Sequence, residues 1–140
     1  MKGYFISVEG GDGSGKSTQI RNIEAYLQEK GLEYIMTREP GGTPVAEKIR
    51  ELILDPANKA LTGRAEMLLY AASRAQHVEE KILPALEAGK VVLSDRFTDS
   101  SIAYQAYGRG LGDMVAEVNR IATGGLDSDL TIFLNITPAA

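Results

Sequence analysis

At 140 residues, with 44% hydrophobic and 24% charged side chains, the chain has the composition of a soluble globular protein. It is large enough for one domain with a real core, but small for a complete α/β enzyme. A net charge of −4 and a pI near 5.0 argue against a nucleic-acid backbone binder, which would need a basic face, and zero cysteines exclude disulfides and thiolate metal sites. No apolar run approaches membrane-spanning length, and the start of the chain has no signal-peptide core, so a cytoplasmic protein without nucleic-acid or membrane partners is expected.

Strands and helices alternate along the chain, which predicts an α/β fold: a parallel sheet with helices on both faces. Tyr4–Glu9 reads as the first strand. It runs into Gly10-Gly11-Asp12-Gly13-Ser14-Gly15-Lys16-Ser17, which fits G-x-x-x-x-G-K-[ST], the phosphate-binding loop. Glycines there let backbone N–H groups turn inward, and with the start of the next helix they form an anion cradle. Residues Gly10 through Thr18 are therefore the candidate ATP-binding segment. Lys16 would reach the β- and γ-phosphates and the Ser17 hydroxyl would bind Mg²⁺. Strand, loop and helix together are the context this motif requires, making the fold P-loop NTPase-like, a three-layer α/β/α sandwich.

The first helix spans about Lys16–Glu29, with Lys30-Gly31 as its C-terminal stop, and Tyr34–Thr37 is the second strand. Arg38-Glu39-Pro40-Gly41-Gly42 then forbids regular structure. Pro44–Leu54 forms a short helix ended by Asp55-Pro56. Thr62 caps a long helix reaching about Glu80 or Leu83, where Pro84 kinks or breaks it. Its expected buried stripe is Leu68, Ala71, Ala72, Ala75, Val78 and Ile82, while Glu66, Tyr70 and Arg74 share an adjacent face. His77, the sole histidine, rules out a histidine-rich metal site or a Ser-His-Asp triad, and is expected on a solvated helix surface. Val91–Ser94 is the third strand, with Asp95-Arg96 at its carboxyl end. Helices at Asp99–Tyr107 and Asp113–Ala122 and a fourth strand at Leu130–Ile136 complete the pattern.

Ligands of open parallel sheets bind outside the carboxyl ends of the strands. Three such ends carry polar groups: the phosphate loop, Arg38-Glu39 and Asp95-Arg96. Asp95 closes an apolar strand as a Walker-B carboxylate does, so it is the second candidate Mg²⁺ group beside Ser17. Arg38 and Arg96 on one rim suggest a second phosphate, hence a phosphorylated acceptor. Such an acceptor is already anionic at neutral pH and needs no general base.

The segments Val8-Glu9-Gly10, Arg38-Glu39-Pro40-Gly41-Gly42-Thr43, Ala71-Ala72-Ser73-Arg74, Asp95-Arg96-Phe97 and Ser100-Ser101-Ile102-Ala103-Tyr104-Gln105 together resemble bacterial thymidylate kinase, in order and along nearly the whole chain. The resemblance implies transfer of the ATP γ-phosphoryl to dTMP, with Mg²⁺ as cofactor and Lys16, Arg96 and Asp12 in catalytic roles. It implies that Arg38, Arg50 and Arg96 hold the monophosphate and that Glu39 and Asp12 lie near metal and phosphates. It further implies that Tyr70 stacks on thymine, that Arg74, Ser101 and Gln105 meet the base edge, and that Tyr104 lies under the deoxyribose. A core-packed Tyr70 is the plainer alternative. Gly13 resembles the subgroup that supplies catalytic arginines from a lid. In the family, lid and last strand follow strand four, so a single nucleoside-monophosphate-kinase domain truncated after that strand, weakly active or inactive, is the expectation. The family is commonly homodimeric, which implies a homodimer here. Another nucleoside-monophosphate kinase, or a non-catalytic ATP-binding module, would share the phosphate loop.

Overall fold

The computed structural model describes residues 3–10, 15–97 and 112–134. Four parallel strands, β1 (Tyr4–Glu9), β2 (Tyr34–Arg38), β3 (Val91–Asp95) and β4 (Leu130–Phe133), lie in the order β2-β3-β1-β4. Around them run α1 (Lys16–Glu29), α2 (Pro44–Leu54), α3 (Gly63–His77), a π-helical turn at Val78–Ile82, α4 (Leu83–Glu87) and α5 (Gly112–Thr123). Among the described residues no helix is long and apolar enough to cross a membrane. The helix expected at Asp99–Tyr107 lies outside the described residues, as do residues 135 and 136 of the expected fourth strand.

Strand side chains alternate between faces, and both faces of this sheet are apolar. Phe5 and Val92, paired across β1 and β3, point toward Val78, Ile82 and Ala85 of the π turn and α4. Ile6, Val8, Val91 and Leu93 point the other way, onto Ile20 and Leu27 of α1. The fold is thus the predicted three-layer arrangement. Phe97, just past β3, meets the Phe5 ring edge-on at 4.8 Å between centroids. The fourth strand is pinned at its start by Asp129. Its carboxylate accepts from the Phe5 N–H at 2.7 Å, and its own N–H donates to the Phe5 carbonyl at 2.7 Å.

Two expectations for the long helix are corrected. It does not break at Pro84, which sits in the first turn of α4. Proline has no N–H for an α-helical bond, and the chain widens into a π turn just before it, where the Leu83 N–H reaches back five residues to the Val78 carbonyl. The buried stripe is also rotated. Leu68 is 52% exposed and Ala72 is exposed, whereas Met67, Ala71, Ser73, Arg74 and His77 face inward. Polar groups occupy the interior side of α3 because partners await them there, and an apolarity count cannot see that.

Phe5→Ala is expected to cost about 3–5 kcal/mol. Tyr4→Ala, one residue away on the same strand but 47% exposed, should cost about 1 kcal/mol or less. Urea unfolding of both variants checks the phase of β1.

Candidate active site

Parallel register brings three strand ends level. Val8 lies opposite Asp95, and Asp95 lies opposite Arg38. Gly15, in the left-handed region at φ 84°, turns the chain into α1. Lys16, first in that helix, places its Nζ 2.7 Å from Asp95 Oδ1. An open cleft of about 710 Å³ lies alongside, bordered by Ser17 and Arg21 of α1, Arg38 of β2, Thr43, Glu47 of α2, Lys81 and Asp95. Ser17, Asp95 and Arg38, predicted to act together, therefore share one cavity, with Lys16 paired to Asp95 beside it. Thr18 is exposed in the first turn of α1. Gly11, Asp12, Gly13, Ser14, Ser101, Tyr104 and Gln105 lie outside the described residues.

Arg38 is held by a carboxylate that the sequence reading missed. Its Nη2 donates to Glu47 Oε1 at 2.6 Å and its Nε to Oε2 at 3.3 Å, while the Gly42 N–H donates to Oε2 at 2.8 Å. Glu47 stands in the first turn of α2, where the helix dipole favours an anion, and Thr43 caps that helix by accepting from the Ala46 N–H. The Arg38 bond first, then the Gly42 N–H, hold the Glu47 carboxyl below its ordinary pKa; the same bond raises the Arg38 guanidinium. A side chain at Gly41, where φ is 119°, would run into the Glu47 carboxylate.

Glu39 and Arg74 have interior partners that the sequence reading did not foresee. The Glu39 carboxylate turns inward, 5% exposed, between Arg74 Nε at 2.7 Å and His77 Nδ1. Arg74, 2% exposed, also donates from Nη1 to Asn119 Oδ1 at 2.5 Å and from Nη2 to the Phe97 carbonyl at 3.1 Å. His77 is corrected outright: it is fully buried, not solvated. Its second nitrogen meets Thr37 Oγ1 at 2.5 Å, so both ring nitrogens are satisfied and burial carries no unmade bond. Arg50 donates to the Pro40 carbonyl at 3.2 Å and so braces this loop. Tyr70 is half-buried on α3. Arg96 follows β3 in the left-handed region, φ 74°.

Among the described residues no three His, Cys, Asp or Glu side chains gather as a metal cage. Mg²⁺ does not need one, because it keeps waters and is bound by one or two carboxylates together with substrate phosphates. Asp95, its side chain 37% exposed, and Ser17 line the same cleft and fit such an ion. A lysine, a carboxylate, a hydroxyl and a guanidinium around one open space suit a polyphosphate and a second anion.

The family model described as "Thymidylate kinase" matches residues 8–140. The thymidylate kinase of Thermoanaerobacter sp. is 58% identical over 139 residues, covering 99% of this chain and 68% of that protein. This chain belongs to the thymidylate kinase family. The thymidylate kinase of Lactobacillus delbrueckii subsp. bulgaricus is 57% identical over 141 residues, covering 99% of the chain and 66% of the relative. The chain thus spans about two thirds of the length of these curated relatives. The crystal structure of thymidylate kinase from Ehrlichia chaffeensis superposes with a TM-score of 0.87 at 35% identity, covering 98% of this chain and 78% of that one. The P-loop architecture is shared with that enzyme.

Two expected outcomes follow from the charge pairs. A lowered Glu47 pKa means that the pair stabilises the fold above the ordinary carboxylate range and is lost as pH falls through the lowered value. Arg38 stays protonated throughout and adds no pH dependence. The stability difference between the native chain and Glu47→Gln, about 1 kcal/mol or less for so open a pair, should therefore be present at pH 6 and shrink as pH falls below the ordinary carboxylate range. Thermal melts across that range measure it. Glu39→Gln leaves the buried Arg74 charge without its partner and is expected to cost about 3–5 kcal/mol, read from urea midpoints. The double variant with Arg74→Met should lose less than the sum of the two single changes.

Proposed function

We propose that this protein transfers the γ-phosphoryl of ATP to dTMP, releasing ADP and dTDP. The observation that carries the reading is the shared cleft of Ser17, Asp95 and Arg38 beside the Lys16–Asp95 pair, at the level carboxyl ends of three parallel strands. Lys16 grips the donor phosphates, and leaving Asp95 for a phosphate costs it little, since the carboxylate is then free to turn toward Ser17 and a metal. Ser17 and Asp95 would hold Mg²⁺, with Asp12 beside them, and the ion would supply neutralisation of charge on the phosphate oxygens.

Arg38 and Arg96 hold the acceptor phosphate, supported by Arg50. The acceptor phosphate is itself the nucleophile and is anionic at pH 7, so no side chain has to remove a proton. Positioning and charge neutralisation supply the acceleration. Tyr70 stacks on the thymine ring and Ser101 and Gln105 approach its polar edge, while Tyr104 disfavours a 2′-hydroxyl. Arg74 has five N–H bonds and spends three on Glu39, Asn119 and Phe97. Two remain for a base carbonyl. We place the protein in the cytoplasm, as a homodimer without nucleic-acid partners.

A coupled assay with ATP, Mg²⁺ and a panel of nucleoside monophosphates tests the proposal. Release of ADP should depend on dTMP and be abolished by Lys16→Ala. Arg38→Ala should raise KM for dTMP roughly 10- to 100-fold, the worth of one charge-assisted contact. Equal use of other monophosphates would replace dTMP by a broader substrate class. ATP binding without any dTMP binding by calorimetry would leave only a nucleotide-binding module.

A further inference from the structure

Arg96 is, among the described residues, the one non-glycine residue in the left-handed region, with φ 74°. Crowding of Cβ against the backbone makes that conformation unfavourable for an arginine, so something must hold it. The two backbone angles of a residue are set by the peptide planes on either side of it, and here all four polar groups of both planes are bonded. In the plane before Arg96, the Asp95 carbonyl accepts from the Glu39 N–H at 3.0 Å and the Arg96 N–H donates to the Val8 carbonyl at 2.9 Å. These are backbone bonds that extend the sheet.

The plane after Arg96 has no such ladder. Its carbonyl accepts from the Ser94 hydroxyl at 2.6 Å, and its N–H, that of Phe97, donates to Glu9 Oε2 at 2.7 Å. Ser94 is fully buried and Glu9 is 2% exposed. Neither is among the residues that border the cleft. A carboxylate buried at the end of β1 is costly to desolvate, and one of its oxygens accepts from a peptide N–H of the segment just past β3.

We propose that Glu9 and Ser94 are positioning residues for Arg96. They impose the left-handed turn at the end of β3 and thereby fix the direction in which the Arg96 side chain leaves the backbone. Their role rests on the reading above, in which Arg96 grips the acceptor phosphate. Ser94 acts from two residues upstream on the same strand, Glu9 from the neighbouring strand. The arginine's aim is thus tied to the strand that leads into the phosphate loop, and the grip on the acceptor is registered against the donor site.

The test uses the whole chain and separates the parts. Arg96→Gly and Arg96→Ala both remove the guanidinium, but only glycine relaxes at positive φ, so Arg96→Gly should melt several degrees above Arg96→Ala. Equal melting, or a lower value for glycine, would refute the strain. Ser94→Ala should weaken dTMP binding about tenfold by calorimetry while ATP affinity stays within twofold, and should displace the Arg96 ¹³Cα resonance. Glu9→Gln keeps an acceptor oxygen for the Phe97 N–H and should bind dTMP within about threefold of the native chain. Glu9→Ala should behave like Ser94→Ala. If Glu9→Ala does not fold, the serine and glutamine variants carry the result. Unchanged dTMP binding and unmoved Arg96 resonances in Ser94→Ala, with dTMP binding lost in Arg96→Ala, would overturn the positioning role and leave the function standing. Unchanged dTMP binding in Arg96→Ala would remove the acceptor role itself.

Discussion

The Glu39 carboxylate, closed in between Arg74 and His77, is the contact on which the loop between β2 and α2 depends. Removing a carboxylate and a guanidinium from water costs several kcal/mol per ion, and only close pairing with every remaining donor satisfied offsets it. Here the pairing is close: both Glu39 oxygens are engaged, and three of the five Arg74 N–H bonds are spent. Arg74 reaches from α3 to the loop after β2, to Asn119 on α5 and to the Phe97 carbonyl after β3, while His77 ties the other Glu39 oxygen to Thr37 within β2. One buried arginine thus joins the segments that follow Arg38 and Arg96, the two arginines proposed to grip the acceptor phosphate, since Glu39 succeeds Arg38 and Phe97 succeeds Arg96.

This division of labour explains why an acidic protein carries so many basic groups near one rim. Arg74 and Arg50 also fasten the Glu39–Gly42 loop, bound to a carboxylate and to the Pro40 carbonyl. Lys81 donates to the Gly42 carbonyl at 3.2 Å and closes the same loop from below α3. A side chain on Gly42, where φ is 99°, would strike the His77 ring and the Thr37 hydroxyl. The loop is therefore threaded between fixed groups, and its shape follows from what surrounds it.

Much of this was legible in the chain itself. The bounds of β1, α1 and α2 come out as read, because an apolar run, a glycine-rich turn and Pro44 at the helix start are local signals. The clustering of Ser17, Asp95 and Arg38 was legible too, since parallel sheets gather their strand ends. What escaped is non-local. Glu39 meets Arg74 across 35 residues and Arg74 meets Asn119 across 45, and no spacing rule marks such pairs. The burial of His77 escaped for the same reason: a helix face carrying Ser73, Arg74 and His77 reads as wet until its partners are known. Glu47 could have been noticed, being an acid in the first turn of a capped helix nine residues from Arg38, but charge there is usually explained by the helix dipole alone.

That Glu47 contact bears on how a free guanidinium becomes a phosphate clamp. A guanidinium offers two usable edges to a planar or tetrahedral anion. Glu47 occupies the edge formed by Nε and Nη2, leaving the end-on edge formed by Nη1 and Nη2. Left alone on a strand end, with its side chain 52% exposed, Arg38 would sample many rotamers and surrender that freedom on binding, at about 0.5–1.5 kcal/mol for such a side chain. With one edge already seated, that ordering is settled before any ligand arrives. The carboxylate beside the arginine, which at first sight competes with an anion, instead leaves the adjacent end-on edge for the acceptor phosphate proposed above.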